Sequence, residues 1–444
     1  MKLKMKFGWL LGLSLLAGSG VADELFPREA FSHPVAGLDA TALETFYRGR
    51  TEFLQSWAVP PEGGNVSALG PLFNRIACVS CHQKNGRGRS PDGPDERMLS
   101  MLVRLSVPGT GEHGSPKPHP AYGGQLNEEG VPGVPGEGRA AVHWQEKMLK
   151  LKDGTLIHLR SPRIEFVDMQ YGSTKGMLFS PRVGQQMYGL GLLESIPELT
   201  LQGIAARQAK QGIHGMLNRV WDVKLQKEVT GRFGWKANSP TLRQQVAEAF
   251  VGDMGVTSPL FPEAQCASTQ RECRMAPLSK LSPELSDKRL DDIDFYTVHL
   301  APPARRNSGD AQVQRGEALF ASAGCAACHV PQLATAAHPR YPATLPAQTI
   351  APYSDMLLHD MGADLADNRP DFKASGRQWR TQPLWGIGLI PVVNGHSQYL
   401  HDGRARNLEE AVVWHGGEAK AARDHYTKLD KAQRQDLLSF LQSL

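Results

Sequence analysis

Residues 73–88 read FNRIACVSCHQKNGRG, and residues 319–330 read LFASAGCAACHV. Each stretch contains one CxxCH motif. Two intervening residues in a helical turn place the cysteine sulfurs at the separation of two porphyrin vinyl groups, and the following histidine then lies under the iron. The pattern therefore predicts two covalently attached haems of the c type. The predicted attachment and ligand residues are Cys78, Cys81 and His82 in the first motif and Cys325, Cys328 and His329 in the second.

Other chemistry can use a CxxC pair. Such a pair can be a redox dithiol, and two pairs together can form a Cys₄ zinc site. Neither alternative explains why a histidine follows both pairs in a similar context. A Leu-Phe pair ends five residues before each motif, since Phe73 precedes Cys78 and Phe320 precedes Cys325 by the same spacing. We therefore expect two copies of one haem-binding unit, each with a matching Leu-Phe helix.

Two amphipathic segments close the two halves of the chain. Residues 282–300 (SPELSDKRLDDIDFYTVHL) begin with Ser282 as a candidate helix cap, and residues 429–444 (LDKAQRQDLLSFLQSL) repeat the pattern. The sequence predicts a mainly α fold of two cytochrome c-like helical lobes, 23–300 and 306–444. The first lobe is larger, and we attribute the difference to a loop-rich insertion with some short strands.

The amino terminus is typical of a secretory signal peptide. Three lysines lie within the first six residues, an apolar run follows over 7–18, and the small residues 20–22 suit cleavage before Asp23. An uncleaved anchor is the alternative, but the run is shorter than the roughly 20 residues that span a bilayer. We predict a signal peptide over 1–22 and a soluble periplasmic protein without a membrane span after cleavage.

The net charge bears on possible partners, and the remaining two cysteines bear on a disulfide. The formal net charge is +4, three units of which come from the lysines of the leader, so nothing favours nucleic acid as a partner. Cys266 and Cys273 have no histidine after them. In an oxidising compartment they are expected to form a structural disulfide, with a third metal site as the alternative.

The chain resembles the bacterial di-haem cytochrome c peroxidase superfamily, and most closely its branch of di-haem oxidoreductases, which includes peroxidase-like and thiol oxidoreductase-like members. The similar segments extend from about residue 70 to about residue 420 and are more specific than the haem motifs alone. They are FNRIACVSCHQKNGRG (73–88), GLGLLESIPE (189–198), GRFGWKANSPTLRQQVAEAFVGDMG (231–255), PYSDMLLHDMG (352–362), RTQPLWGIG (380–388) and YLHDGRARNLEEAVVWHGGEA (399–419).

The resemblance implies a second axial ligand for the C-terminal haem. In the superfamily this ligand lies fourteen residues after the histidine of a Tyr-x-His-Asp/Ser-Gly segment, which is His401 here, so the ligand would be His415. The alternatives are that His415 is a surface residue at a helix end, or that Met361 is the ligand. Two imidazoles stabilise ferric iron, so the reduction potential should be low. His401 itself is expected to hydrogen-bond near the haem edge.

The resemblance also implies a reaction centre at the N-terminal haem. Trp235 falls on the inter-haem tryptophan of the superfamily, and Asp253 falls on its distal acid, although the family usually has Glu there and the spacing here is shorter. An indole between two haems shortens the tunnelling gap, and a distal carboxylate can move a proton between peroxide oxygens. The alternatives are a core tryptophan and an aspartate that caps the turn before Gly255.

Several further residues are weaker candidates. Possible ligands or acids near the N-terminal haem are His113, His119, Met98, Met101 and Glu194. Possible calcium ligands, which also fit a solvated helix face, are Asp360, Asp364 and Asp367. Possible partners of haem propionates, which also fit a solvated surface pair, are Arg404 and Arg406.

Two functions fit these features. The first is a di-haem oxidoreductase that reduces a peroxide, such as hydrogen peroxide, at the N-terminal haem. Electrons would come from a small redox protein and pass from the bis-His C-terminal haem through or near Trp235. The second is a di-haem electron-transfer protein with both irons six-coordinate and no substrate of its own.

Overall fold

The computed structural model describes residues 27–59, 68–276 and 281–444. The predicted signal peptide, 1–22, lies outside the described residues, so its cleavage remains a prediction. Within the three described ranges, no helix has both the length and the apolar character that a membrane crossing needs.

Helices and strands alternate along the described ranges. The α-helices there are α1 (Ala40–Leu54), α2 (Leu190–Glu194), α3 (Glu198–Ala209), α4 (Leu242–Asp253), α5 (Arg271–Met275), α6 (Asp287–Val298), α7 (Ala311–Ser322), α8 (Ile390–Asn394), α9 (Leu408–Val413), α10 (Lys420–Tyr426) and α11 (Lys431–Ser443). The strands are β1 (Leu72–Phe73), β2 (Met101–Thr110), β3 (Pro116–Lys117), β4 (Glu129–Gly130), β5 (Arg139–Lys150), β6 (Leu156–Val167), β7 (Leu178–Val183), β8 (Arg219–Asp222), β9 (Lys227–Thr230), β10 (Leu333–Ala334), β11 (Thr349–Ile350), β12 (Leu358–Asp360) and β13 (Gln378–Arg380).

The prediction of a mainly α fold is wrong, because the chain is a mixture of helices and small antiparallel sheets. Of the described residues, only 32% are helical and 19% are in strands, which is too much strand for a mainly α class. Five strand pairs and one three-stranded sheet, β3-β2-β7, make up the sheets of the described residues. The predicted strand region proved larger than expected, since β5 and β6 form a hairpin with twelve residues on each side. The shortest strands pair loops that are remote in sequence, such as β1 with β4, and periodicity cannot reveal such pairs.

Two helix pairs organise the two halves of the molecule, α1 with α6 and α7 with α11. Each pair crosses at a glycine. A Cβ atom on Gly49 would lie 2.0 Å from the carbonyl oxygen of Asp292, and one on Gly316 would lie 1.9 Å from that of Asp436. Only glycine allows two helix backbones to approach so closely.

The same two aspartates also form equivalent ion pairs. Arg48 Nη2 lies 2.9 Å from Asp292 Oδ1, and Arg315 Nε lies 2.8 Å from Asp436 Oδ2. In both halves the arginine immediately precedes the crossing glycine, so the two helix pairs are copies of one packing unit.

The prediction that a Leu-Phe helix precedes each CxxCH motif is therefore wrong for the first motif. Phe73 lies in strand β1, whereas Phe320 lies in helix α7. The counterpart of Phe320 is Phe53, four residues after the crossing glycine. The ring centroid of Phe53 is 6.4 Å from that of His82, and the ring centroid of Phe320 is 6.3 Å from that of His329.

The helices that close the two halves differ slightly from the prediction. Helix α6 begins after Ser286, whose side chain accepts from the backbone N–H of Arg289, and not after Ser282. Helix α11 has a full capping box, in which Asp430 and Gln433 satisfy each other's backbone N–H groups. The existence of both helices is confirmed.

The two halves share one apolar core and are joined by ion pairs. The largest apolar cluster contains Phe46 of α1 and Phe440 of α11. The tip of the β5–β6 hairpin reaches the second half, where Arg434 Nη2 donates to Asp153 Oδ2 at 2.9 Å. The lobe boundaries 23–300 and 306–444 remain a prediction.

Candidate haem-binding sites

The second CxxCH motif opens into a large cavity of about 590 Å³. Its walls include Cys325, Cys328, His329 and His415, together with many apolar side chains. Sites for bound cofactors commonly measure about 300–1,000 Å³ and are mostly apolar. The size and lining of this cavity therefore fit a haem.

Two imidazole rings face each other across this cavity. His329 Nδ1 donates to the carbonyl oxygen of Tyr353, and His415 Nδ1 donates to that of Ala411, both at 2.8 Å. In each ring the Nε2 lone pair is therefore the one available to a metal. Burial lowers the pKa of His329 to about 4 and also lowers that of His415, so both rings are in the neutral form that ligates metals.

The separation of these rings agrees with two ligands on one iron. The ring centroids of His329 and His415 are 6.5 Å apart. A metal–imidazole bond of about 2.0–2.1 Å, with a ring centroid roughly 1.2 Å beyond the nitrogen, gives about 6.5 Å for two rings on opposite sides. Met361, the competing candidate, lines the same cavity. His415 follows the end of helix α9, as the alternative expected, but its side chain lines this cavity and is not a solvated surface group.

The first CxxCH motif lines a smaller cavity of about 170 Å³. His82 Nδ1 donates to the carbonyl oxygen of Gln185 at 2.6 Å, which leaves Nε2 available as in His329. This volume is below the roughly 300 Å³ lower end of cofactor sites, so lining side chains must move apart to admit a porphyrin. Among the described residues that line it, His82 is the sole histidine, and the sulfur-bearing side chains other than cysteine are Met187 and Met254.

The cysteine environment disfavours the two alternatives to haem. Burial, assisted by Asp253, raises the pKa of the Cys78 and Cys81 thiols to about 12. Reactive dithiols instead have a lowered thiol pKa. A Cys₄ zinc site is excluded because the two CxxC pairs line different cavities.

Asp253 lies in the wall of the N-terminal cavity, at the end of α4. Its Oδ1 accepts a hydrogen bond from Gln125 Nε2 at 2.8 Å. Its backbone carbonyl accepts from the N–H groups of Asn74 and Arg75, at 2.7 and 3.2 Å, and this ties the helix end to the segment before Cys78. The carboxylate is therefore held beside the cavity with its second oxygen, Oδ2, free of these contacts.

Two polar side chains of this cavity were missed by the sequence analysis. Gln245 Oε1 and Asn238 Oδ1 are buried, line the cavity and have no hydrogen-bond partner in the described part of the chain. A buried oxygen without a donor is costly, so these atoms suit a donor on a bound molecule. Helical spacing could have identified Gln245 from the sequence, because Gln245 lies about two turns before Asp253 on the same face of α4.

Trp235 lies in the wall that the two cavities share, because it lines both of them. Its indole Nε1 donates to the carbonyl oxygen of Val183 at 2.9 Å, which fixes the ring. The guanidinium of Arg87 lies 5.2 Å from its centroid. Arg380, which the sequence analysis also missed, lines both cavities as well.

His401 is buried beside this wall. Its ring stacks on Trp379 at 3.7 Å and meets Trp235 edge-on at 6.4 Å. Burial lowers its pKa to about 4, so it is a neutral member of an aromatic stack. It lines the C-terminal cavity, where a hydrogen bond to a haem edge remains a prediction.

The weaker ligand candidates lie away from the N-terminal cavity. His113 stacks on Trp221 at 3.8 Å, and His119 Nδ1 accepts from the N–H of Ala121 at 3.1 Å. Glu194 is buried and hydrogen-bonded to His338 at 2.9 Å, where its second oxygen caps the start of α4. All five of the weaker candidates are absent from the described lining of that cavity: His113, His119, Met98, Met101 and Glu194.

The aspartates and arginines considered in the second half have protein partners in the described structure. The Asp367 side chain is buried and pairs with Lys236 Nζ at 2.7 Å, whereas Asp360 pairs with Arg377, so two of the three candidate calcium ligands already have a cationic partner. Arg404 is buried against Asp402, at 2.6 Å, and is not part of a solvated pair. The two arginines considered as partners of haem propionates, Arg404 and Arg406, both lie outside the described lining of the C-terminal cavity.

Cys266 and Cys273 form a disulfide with a Cα–Cα distance of 5.7 Å, as expected.

No curated protein matches the chain. The family model described as "Di-haem oxidoreductase, putative peroxidase" matches residues 23–444, which is nearly the whole chain and includes both cavities. The family name implies haem as the cofactor. On the strength of that match and of two cavities that each contain a CxxCH motif, the chain belongs to the di-haem oxidoreductase family.

Proposed function

We propose that this protein is a periplasmic c-type cytochrome that reduces a peroxide at its N-terminal site with electrons relayed from its C-terminal site. Cys78 and Cys81 would attach one haem, and Cys325 and Cys328 the other. The axial ligands would be His82 at the first site and the pair of His329 and His415 at the second. A haem bound at each site supplies one-electron redox chemistry.

The observation that carries the proposal is the unequal supply of histidine in the two cavities. The C-terminal cavity presents the facing pair His329 and His415, which suits an iron that only transfers electrons. Among the described residues that line the N-terminal cavity, His82 is the sole histidine, and Gln245 and Asn238 contribute buried oxygens without a hydrogen-bond partner. A haem held there by His82 would leave room for a small oxygen-containing substrate beside Asp253.

The side chains of the N-terminal cavity suit the proton movement that peroxide reduction needs. Asp253 takes a proton from one peroxide oxygen and returns it to the other as the O–O bond breaks. The oxygens of Gln245 and Asn238 accept hydrogen bonds from the peroxide O–H groups and orient them. Hydrogen peroxide, two electrons and two further protons give two water molecules, so the atoms and charges balance.

Trp235 supports the relay between the sites because its indole stands in their common wall. Its position is fixed by the hydrogen bond to Val183, so the ring provides a rigid aromatic path of constant length. A small redox protein would supply the electrons. Calcium is not part of the proposal, because Asp360 and Asp367 are paired with cations.

Electron paramagnetic resonance of the holoprotein tests this function. The protein should be matured in a host with working cytochrome c assembly, and it should retain its colour in acidic acetone because the haems are covalent. In the oxidised protein we expect a high-spin ferric signal that cyanide converts rapidly to low spin. Turnover of hydrogen peroxide with a reduced small cytochrome should then follow. Export is tested separately by locating the protein in the periplasmic fraction.

The second function, electron transfer without a substrate, is favoured by Met187 and Met254, because both line the N-terminal cavity. Either methionine could supply a second ligand to a haem held by His82, and the site would then have no place for a substrate. Two low-spin signals in the oxidised protein that ignore cyanide and peroxide would establish this function and refute the peroxidase.

A further inference from the structure

A histidine held between two carboxylates lies beside the second haem-attachment cysteine. His359 Nε2 hydrogen-bonds Asp355 Oδ2 at 2.9 Å, and its Nδ1 hydrogen-bonds Glu418 Oε2 at 2.8 Å. The sulfur of Cys328 is 3.9 Å from the same Nδ1. We call Asp355, His359 and Glu418 the buried triad, since His359 is 2% exposed, Asp355 is fully buried and the Glu418 side chain is 15% exposed.

The buried triad is connected to both segments that provide ligands to the C-terminal cavity. Gln208 Nε2 donates to Asp355 Oδ2 at 2.6 Å and to the carbonyl oxygen of Ala327, inside the CxxCH motif, at 2.8 Å. Glu418 lies three residues after His415. His359 and Glu418 also line the cavity directly. The triad therefore belongs to the surroundings of this cavity and not to the protein surface.

A metal ion is not the natural occupant of this cluster. Cys328, Asp355 and His359 each present a ligand atom within 4.8 Å of the others, a spacing that a metal could use. Both imidazole nitrogens, however, are already engaged by carboxylates. A ligand to a metal must offer a nitrogen lone pair, and the proposed thioether would remove the thiolate of Cys328.

The charge of the triad follows from its contacts. Burial alone would lower the pKa of His359, but the hydrogen bonds to Asp355 and Glu418 outweigh burial and raise it. Burial also opposes ionisation of Glu418, but the hydrogen bond from His359 lowers its pKa overall. One imidazolium and two carboxylates leave one net negative charge in a region that water screens poorly.

We propose that the buried triad lowers the reduction potential of the C-terminal haem by placing one fixed negative charge beside Cys328. Ferric haem carries one more positive charge than ferrous haem, so a nearby anion stabilises the oxidised state. Coulomb interactions are strong in a buried, poorly screened site, and the surroundings of a haem are a recognised determinant of its potential. The inference rests on the proposed function only in requiring a haem at Cys325 and Cys328.

The test measures the midpoint potential of the low-spin haem by optical titration of the holoprotein. Glu418→Gln and Asp355→Asn each remove one negative charge at nearly constant shape, so each should raise the potential. His359→Gln removes the positive charge, so it should lower the potential, or leave it unchanged if a carboxylate takes up a proton. Glu44→Gln is the matched control, because Glu44 has a side chain 79% exposed in the first half and should not shift the potential.

The outcomes separate the inference from the proposed function. A colourless protein would refute haem binding itself. Intact low-spin haem with a potential that stays constant or falls in both Glu418→Gln and Asp355→Asn would overturn the inference alone. A rise in His359→Gln would also overturn it, as would loss of the low-spin spectrum in both carboxylate variants, because the triad would then hold the haem instead of tuning it.

Discussion

At the scale of single residues, hydrogen bonds at Nδ1 decide which histidines can act as ligands. His82, His329 and His415 each donate Nδ1–H to a backbone carbonyl, so each directs Nε2 into a cavity. His359 uses both nitrogens on carboxylates, and His401 stacks on Trp379 and meets Trp235 edge-on. The two sets of histidines have different roles because their partners differ, although all five rings are buried or partly buried.

His415 provides the first prediction. His415→Ala removes the ring that faces His329, so the low-spin ferric signal of the C-terminal haem should be replaced by a high-spin signal. Electron paramagnetic resonance measures the change. His425→Ala is the control, because His425 is an exposed histidine on the neighbouring helix α10 and should leave the spectrum intact. An unchanged low-spin signal in His415→Ala would transfer the ligand role to Met361.

Asp253 provides the second prediction. Asp253→Asn keeps the shape and the contact with Gln125 but removes the proton acceptor, and such losses typically slow a reaction by about 10²–10⁴-fold. The steady-state rate of peroxide reduction should fall in this range, while cyanide should still bind the N-terminal haem. Asp95→Asn, an exposed carboxylate change, should retain full activity. Equal rates in the two variants would show that Asp253 is not the distal acid.

At the scale of elements, the packing unit is a helix pair that crosses at a glycine. The unit is readable in the sequence as Arg-Gly-x-x-x-Phe, which occurs at 48–53 and at 315–320. The Leu-Phe pairs were predicted as the repeat instead, because they lie at equal spacing before both CxxCH motifs. Spacing from a motif identifies a repeat only when the intervening backbone has the same conformation, and β1 replaces the helix in the first copy.

The crossing glycines provide the third prediction. Gly49→Ala and Gly316→Ala each place a Cβ atom within 2.0 Å of a backbone carbonyl oxygen on the partner helix. Overpacking of this kind typically lowers the free energy of unfolding by about 1–3 kcal/mol, and a backbone neighbour gives way less easily than a side chain. Denaturant unfolding measures the loss. Gly309→Ala has nothing within 4 Å of its Cβ and should be nearly neutral.

At the scale of the whole molecule, buried ion pairs join the two halves. Lys236 of the first half and Asp367 of the second are at most 1% exposed and lie 2.7 Å apart. Arg182 joins the same cluster through Asp371 at 3.0 Å. Lys236 follows Trp235 directly, so the pair also anchors the wall between the two cavities. The halves are therefore fixed against each other at the place where electrons are proposed to cross.

This ion pair provides the fourth prediction. Asp367→Ala leaves the ammonium of Lys236 buried without its carboxylate, and breaking a buried pair in this way commonly costs about 3–5 kcal/mol. Chemical denaturation should show a loss of that size. Asp424→Ala breaks the exposed pair with Lys420, whose side chain is 62% exposed, and should cost no more than about 1 kcal/mol. Similar losses in the two variants would mean that the buried pair contributes no more than a surface pair.

The sequence by itself predicted the local chemistry of this protein. The CxxCH motifs, the disulfide between Cys266 and Cys273 and the helices that close the halves depend on neighbours within a few residues, so they can be read along the chain. His415 and Trp235 were reached only through resemblance to a family, because nothing within a few residues of either marks a ligand or a relay.

Only the tertiary structure decided which remote residues meet. It placed Trp235 in a wall common to both cavities, directed the free oxygens of Gln245 and Asn238 into one of them, and engaged Asp367 with a lysine instead of a calcium ion. It also produced the small sheets that changed the fold class. Contacts between segments one hundred or more residues apart depend on the packing of the whole core, and packing at that range leaves no periodic pattern in the local sequence.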